Sequence, residues 1–480
     1  MGIPDEGGDY RQPELFEGLT QKVSTECGSY APEYSPRPRK PEDETDMTTL
    51  IGGRDTRDTL GHIVDFKNME EAFRKVASNR GSGGIDGMEA KDLMSWFYRN
   101  YGDLREQLLG GTYKPLALRR VEIPKDNGKT RRLGIPTVID RGVQMSVAQV
   151  LGRIWEPMFS DSSFGFRPKR SAHDAIDRSL QYGNEGYVWV VDMDLERFFD
   201  TVPQSRLLQL VGETVKDGRV VSLLFRFCKA GVMEDGVKVR TDEGVPQGGP
   251  LSPLLANILL NECDKELERR GLRFCRYADD MMIFCGSRRS AERVMGSVTE
   301  FVEKRLKLKV NREKTKVLYM GSHETKFLGY GFYRMDGQMR PAIHRKSIEK
   351  AKMRIREILD RNRSGSYHGI RDELKLFVMG WTRYYRKAMA KKRLSKLDEW
   401  VRHKIRALIL TRCRRVRTRY RLFRQLGAEH SIALSVANAR QKVWALAGFH
   451  WVSKWLNCDV LRRKGYTFFL DGFMHASGRI

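Results

Sequence analysis

No Cys-x-x-Cys pair occurs in this sequence. Its seven cysteines (Cys27, Cys228, Cys263, Cys275, Cys285, Cys413 and Cys458) are scattered and odd in number. That spacing offers neither a zinc-ligand set nor a disulfide framework, and it predicts reduced, mostly core thiols in an intracellular protein. No apolar run reaches the roughly 18 residues that a membrane-spanning helix needs. The acidic N-terminus lacks the apolar stretch of a secretory signal. No internal repeat is evident. Acidic residues are scarce in one region only. Residues 341–480 hold 34 basic and 10 acidic side chains, against 46 and 38 in residues 61–340 and 7 and 13 in residues 1–60. Solvated helix faces usually mix signs, and this region does not. With a formal net charge of +26, the chain is expected to carry a dedicated surface for a polyanion, nucleic acid before an anionic membrane.

At 480 residues and 40% hydrophobic content, the chain can hold two to four domains with a sizeable core. Residues 1–58, with "YAPEYSPRPRKPEDETD", bury little and read as a flexible acidic extension. Structure is expected from about Ile63, with a helical pattern through "EEAFRKVASNR" and a Gly-rich turn, "GSGGIDGM". "LALRRVEIPK" alternates like a strand, and "DNGKTRRLGIP" supplies an Asn-Gly turn and a second strand. Residues 139–158 have helical spacing, "YVWVVDMDLERFFD" opens as an apolar strand, and "RFCRYADDMMIFC" reads as two strands around a tight turn. "FLGYGFYRM" is a further strand pair or turn. Beyond about His344 the pattern is helical and basic, with Leu394, Leu397, Trp400, Val401, Ile405 and Leu408 at core spacing.

Two acid-bearing segments stand out. Period-2 geometry puts Asp192 and Asp194 on one strand face, and Asp279 and Asp280 occupy the hairpin turn. Aspartates are ordinary in turns. Carboxylates gathered beside apolar strands, however, are costly unless a cation neutralises them. Hard divalent ions with oxygen ligands do this, and two of them about 3.5–4 Å apart serve nucleotidyl transfer. Gly248 and Gly249 in "PQGGPLSP" permit close backbone approach to a substrate, and Gln247 offers both a donor and an acceptor. Pro250 and Ser252 would start the following helix. Lys125, Lys129, Arg131 and Arg132 surround a hairpin where basic groups can hold a triphosphate. Between Trp381 and Gly427 aromatics interleave with basic residues, and Arg412, Arg414, Arg415, Arg417 and Arg419 are expected outside, toward RNA.

In order along residues 70–335, "RLGIPTVIDRGVQ", "SSFGFRPKRSAHDAI", "DLERFFD", "GVPQGGPLSPLLANILL", "YADD", "LKVNREKTKV" and "FLGYGF" resemble the motifs of reverse transcriptases. The form most similar is the group II intron-encoded reverse transcriptase/maturase of bacteria. "YYR…LDEWVRHKIR…TR" and "GFHWVSKWL" resemble its thumb and maturase regions more loosely. The resemblance implies an α+β right-hand polymerase, fingers and palm with an antiparallel sheet, followed by an all-helical thumb and maturase domain. Its expected bounds are 59–340 for fingers and palm with an N-terminal extension, 341–425 for the thumb and 426–480 for the rest of the maturase domain. It implies RNA-directed DNA synthesis with two Mg²⁺ ions, Mn²⁺ being a substitute, held by Asp194, Asp279, Asp280 and the backbone at Leu195. Phe198 or Phe199, the latter favoured, would reject a 2′-hydroxyl. Lys314 would protonate pyrophosphate or screen charge, and "GSGGIDGM" would grip template RNA.

The implied partners are group II intron RNA, an RNA template with a DNA primer, dNTPs and target DNA. The implied setting is the bacterial cytoplasm, with nucleoid association during action on DNA. No His-Asn-His cluster or cysteine pair is seen after the maturase region, so no appended endonuclease is expected. A nick or replication-fork strand would then prime synthesis. Rival readings are a domesticated relative in phage defence or DNA repair, and a splicing factor with a decayed polymerase site.

Overall fold

The computed structural model describes residues 56–124, 130–234, 237–239, 243–363 and 365–478. The expected 1–58 extension lies almost wholly outside the described residues, as do Lys125, Lys129 and the Asn-Gly turn. The chain divides after Leu328 into two units, each described by itself.

The first unit opens with helices α1 (Thr59–Ile63), α2 (Phe66–Ser78) and α3 (Leu93–Leu109). The Asp65 side chain caps α2 by accepting from the amides of Lys67 and Asn68. A hairpin of β1 (Leu118–Pro124) and β2 (Thr130–Ile135) follows, then α4 (Val138–Trp155), capped by Thr137. Next come α5 (Ala172–Asn184), β3 (Trp189–Met193), α6 (Phe198–Thr201), α7 (Gln204–Thr214), α8 (Gly218–Cys228), β4 (Val232–Glu234) and β5 (Val237–Val239). The unit ends with α9 (Ser252–Arg269), β6 (Arg273–Tyr277), β7 (Asp280–Cys285), α10 (Arg288–Lys304) and β8 (Lys316–Tyr319).

Two four-stranded sheets result. One has the order β2-β1-β4-β5. The other, β6-β7-β3-β8, is antiparallel throughout and carries the acidic segments. Its apolar run is legible in physical terms. Val190, Val191, Met282 and Ile283 have no accessible surface, and α5 packs on β6 while α10 packs on β3, β7 and β8. Each such aliphatic side chain contributes about 1.5–3 kcal/mol by leaving water. The sheet is therefore a rigid mount for whatever its strand ends carry.

The second unit starts with the hairpin β9 (Tyr330–Met335) and β10 (Gln338–Ile343), then is helical: α11 (Arg345–Ile358), α12 (Tyr367–Tyr384), α13 (Lys391–Arg412), α14 (Val416–Gln425), α15 (His430–Asn438) and four shorter helices ending with Phe469–Ala476. Leu394, Leu397, Val401, Ile405 and Leu408 form the buried stripe of α13, as their spacing predicts. Trp400 departs from it. Its ring is half-buried, flanked by Arg356 at 5.5 Å and Lys404 at 5.4 Å, where cations meet the aromatic face. Asp398 is 2% exposed and accepts the amides of Phe469 and Leu470, both at 2.8 Å, tying the last helix to α13.

Candidate active site and nucleic-acid interface

β3 delivers Asp192 and Asp194 to one end of the antiparallel sheet. β3 runs antiparallel to β7 with Met193 opposite Met281, so the next position, Asp194, reaches the level of Asp280. The β6–β7 turn has two loop residues, Ala278 and Asp279, between the paired Tyr277 and Asp280. Ala278 has φ +57°, the left-handed region that the first loop residue of a type II′ turn requires and glycine usually fills. This geometry points Asp279 and Asp280 off the end of the strands beside Asp194.

Residues 309–315 enclose Asp194. Its carbonyl accepts from the Asn311 amide at 2.8 Å, its own amide donates to Thr315 Oγ1 at 3.2 Å, and Lys314 Nζ lies 3.1 Å from its Oδ2. Leu195 forms an antiparallel bridge with Val310 in which the hydrogen bonds come from the flanking residues Glu196 and Asn311. The Leu195 carbonyl consequently points away from the Val310 chain.

The carboxylates feel one another. Burial, then repulsion from Asp194, pushes Asp192 up to about 6, against relief from Lys326 and Lys316. Burial and repulsion from Asp279, Asp192 and Asp194 push Asp280 up to about 7, with Lys326 opposing. Crowded oxygen donors of this kind suit a hard divalent cation, which would lift the repulsion. Among the described residues, no three His, Cys, Asp or Glu side chains close around a single point as a metal-ligand set. Asp194 instead takes Lys314 as its cation. The oxygen-donor chemistry suits a divalent cation, but occupancy would require Lys314 to yield Asp194 and the carboxylates to close together.

Behind the carboxylates the chain folds over itself. Arg197 adopts φ +45°, and the two phenylalanines that follow diverge. Phe198 is 3% exposed and part of the core, whereas Phe199 is half-buried. The Phe199 carbonyl accepts the Val245 amide at 2.7 Å, and the Gly134 amide of β2 donates to the Gln247 carbonyl at 2.9 Å. The "PQGG" segment thus lies against both the hairpin β1–β2 and the turn after β3.

The two glycines there lie tightly against other parts of the chain. A Cβ on Gly248, whose φ is +117°, would sit 2.8 Å from the Gly134 carbonyl, and one on Gly249 would sit 2.2 Å from Gln144 Oε1. Both glycines thus allow close approach of the chain to itself. Ser252 begins α9 but does not cap it, because its hydroxyl donates to the Pro246 carbonyl. Arg132 is exposed and pairs with Glu122 across the hairpin at 3.3 Å. Arg131 lies on β2 opposite Ile123, and its side chain is outside the described set. The "GSGG" loop is pinned by Arg119, which donates to the Gly83 carbonyl at 3.1 Å, and by Arg141, which donates to Ser82 at 2.7 Å.

In the second unit the five arginines separate. Arg414, Arg415 and Arg417 are exposed. Arg412 lies over the Tyr367 ring at 4.5 Å. Arg419 is half-buried: its guanidinium donates to the carbonyls of Cys413, Ala439 and Arg414 at 3.2–3.3 Å and closes the connection into α14. Sequence reasoning missed Thr315 and Lys326. No spacing marks them, since the loop closure that brings them to Asp194 and Asp192 is tertiary. It also missed Arg276, although its place inside an apolar strand next to "YADD" was a readable signal.

Two family models match. "Reverse transcriptase (RNA-dependent DNA polymerase)" covers residues 123–332, and "Group II intron, maturase-specific domain" covers residues 348–427. The chain is a reverse transcriptase joined to a maturase domain. It is 36% identical to Protein YkfC of Escherichia coli over 306 residues, 55% of this chain and 80% of that protein. It is 31% identical to the group II intron-encoded protein LtrA of Lactococcus lactis over 324 residues, 54% of each. A putative COX1/OXI3 intron 2 protein of Saccharomyces cerevisiae is 28% identical over 331 residues, 56% of this chain and 38% of that one. The chain belongs to the group II intron-encoded reverse transcriptase/maturase family. It spans four fifths of YkfC and about half of LtrA. Among the described residues, no helix is long and apolar enough to cross a membrane.

Proposed function

We propose that the chain copies RNA into DNA at the end of the β6-β7-β3-β8 sheet and binds its own group II intron RNA, assisting splicing. The observation that carries the polymerase reading is the meeting of Asp194 with the Asp279–Asp280 turn on adjacent strands, within a reverse transcriptase domain. The reaction is attack of a primer 3′-hydroxyl on the α-phosphate of a dNTP, releasing pyrophosphate. Asp194, Asp279, Asp280 and the Leu195 carbonyl would hold two Mg²⁺ ions. Mg²⁺, or Mn²⁺ in its place, supplies activation of the attacking hydroxyl and stabilisation of the leaving group. Lys314 is released from Asp194 toward the departing phosphate. Phe199, the more accessible ring, contacts the sugar, and Lys125, Arg131, Arg132 and Gln247 are assigned to the nucleotide and template.

Residues 59–340 act as fingers and palm, 341–425 as thumb, and 426–480 complete the maturase domain. Arg412, Arg414, Arg415 and Arg417 contribute to RNA binding by phosphate neutralisation. Splicing chemistry belongs to the RNA, so no protein catalytic group is assigned to the second unit. Target DNA is met in the cytoplasm at the nucleoid. The maturase-specific match favours intron function over a domesticated role. The test is primer extension on poly(rA)/oligo(dT). An Asp279→Ala chain is expected to lose extension while staying folded, and full extension by that variant refutes the assignment.

A further inference from the structure

We infer that Arg276 is a positioning residue of the polymerase site, clamping the Ala278–Asp279 turn to helix α9 and to the loop at Gly165. The inference rests on the polymerase reading above. Arg276 and Asp264 both have 0% side-chain exposure. Arg276 Nε donates to both Asp264 oxygens at 2.8 and 3.0 Å. Its terminal nitrogens donate to Asp264 Oδ2, to Asn257 Oδ1 at 2.8 Å and to the Ala278 carbonyl at 3.0 Å. Asn257 in turn donates to the Gly165 carbonyl at 2.9 Å. The backbone of Arg276 joins the same loop, accepting from the Phe164 amide at 2.8 Å and donating to the Ser162 carbonyl at 2.9 Å. A Cβ on Gly165 would fall 2.3 Å from the Ala278 amide nitrogen, so loop and turn are in direct backbone contact.

The clamp acts where the turn needs it. Ala278 is held at a positive φ that alanine disfavours, and that conformation persists only if its surroundings over-determine it. Its carbonyl bond to Arg276 and its amide contact with Gly165 hold the two peptide groups that flank the Ala278 Cα. A buried ion pair is a poor source of net stability, since well-packed apolar replacements are often neutral or better. The geometry it imposes on the turn is the function that remains. Arg276 touches neither substrate nor the reacting atoms. It acts through Ala278 on the direction of Asp279 and Asp280.

The test uses the full chain. Arg276→Lys keeps the charge toward Asp264 but loses the planar fork. Expected are a roughly 10- to 100-fold drop in kcat for dTTP incorporation on poly(rA)/oligo(dT), with KM for dTTP within about 3-fold. Adding Ala278→Gly, which adopts the positive φ without strain, is expected to restore part of the rate. The double variant Arg276→Met with Asp264→Leu is expected to fold and to show the same loss. Hydrogen exchange of the amides of Phe164 and residues 277–280 is expected to accelerate about 10-fold or more in both clamp variants. That arm judges the clamp whether or not the wild-type chain extends a primer. Absence of wild-type extension overturns the polymerase reading. Folded clamp variants with wild-type exchange at the turn, with an undiminished rate, or with a rate that Ala278→Gly does not raise overturn the inference.

Discussion

Gly165→Ala is the smallest change that should disable the site without touching a carboxylate. The added Cβ would lie 2.3 Å from the Ala278 nitrogen, 2.9 Å from the Tyr277 carbonyl carbon and 3.2 Å from Tyr277 Cα. Ordinary van der Waals contact begins near 3.4 Å, so the loop and the turn must separate by about 1 Å. Neither side is a flexible side chain. The loop is fixed by the Phe164–Arg276 and Ser162–Arg276 backbone bonds and by Asn257, so the movement falls largely on the turn. Overpacking of this kind costs about 1–3 kcal/mol of stability, which shifts melting by a few degrees in a protein of this size. The catalytic cost is larger, because a misplacement of about 1 Å lowers rates by roughly 100-fold. The assay is the initial rate of dTTP incorporation on poly(rA)/oligo(dT) at 25 °C, with thermal unfolding as the folding control. A folded Gly165→Ala chain that polymerises at the wild-type rate refutes the contact between loop and turn as a determinant of activity.

Lys314→Met removes the cation at Asp194. Lys314 is 63% exposed and Asp194 33%, so solvent screens the pair and stability should change by less than about 1 kcal/mol while the extension rate falls about 10-fold or more; an unchanged rate contradicts a role in the reaction. Asp398 supplies a pH prediction. Burial pushes its carboxyl up to about 6 from 3.8. The folded chain thus holds this proton more tightly than the unfolded one, so the contribution is complete below about pH 4 and is lost as pH rises through 6. Between pH 4.5 and 7 the wild type should lose up to roughly 2 kcal/mol relative to Asp398→Asn in urea unfolding, and a gap that stays constant or moves the other way contradicts this. Arg419→Met should cost about 1–3 kcal/mol, since three carbonyls lose their donor. Arg415→Ala and Arg417→Ala should leave melting unchanged but each reduce the salt dependence of binding to a folded group II intron RNA by about one unit of slope, measured by filter binding.

The acidic hairpin and its partner strand were legible because their pattern is local. Apolar runs of five residues abut aspartates, and a two-residue turn joins β6 to β7. The buried stripe of α13 was legible for the same reason, in the helical period of Leu394, Leu397, Val401, Ile405 and Leu408. What spacing could not reveal was set by contacts between distant segments. Gly248 and Gly249 announce a close approach in sequence, but only the fold shows Gly134 and Gln144 against them. Arg419 looks like its neighbours in "TRCRRVRTRY", and only the helix connection aims it at three carbonyls. Trp400 sits at a core position of its helix but at the edge of the packing, where Arg356 and Lys404 cover it. The clamp at Arg276 joins segments more than 90 residues apart, since Asn257 meets Gly165.

The measurement that bears most directly on the central claim is dTTP incorporation on poly(rA)/oligo(dT) as Mg²⁺ is raised from zero, with wild-type and Asp194→Asn chains side by side. Incorporation that rises with Mg²⁺ in the wild type and is at least about 1,000-fold lower in Asp194→Asn is the expected result. Incorporation by both chains alike, or by neither, contradicts the assignment of this sheet edge as a polymerase site.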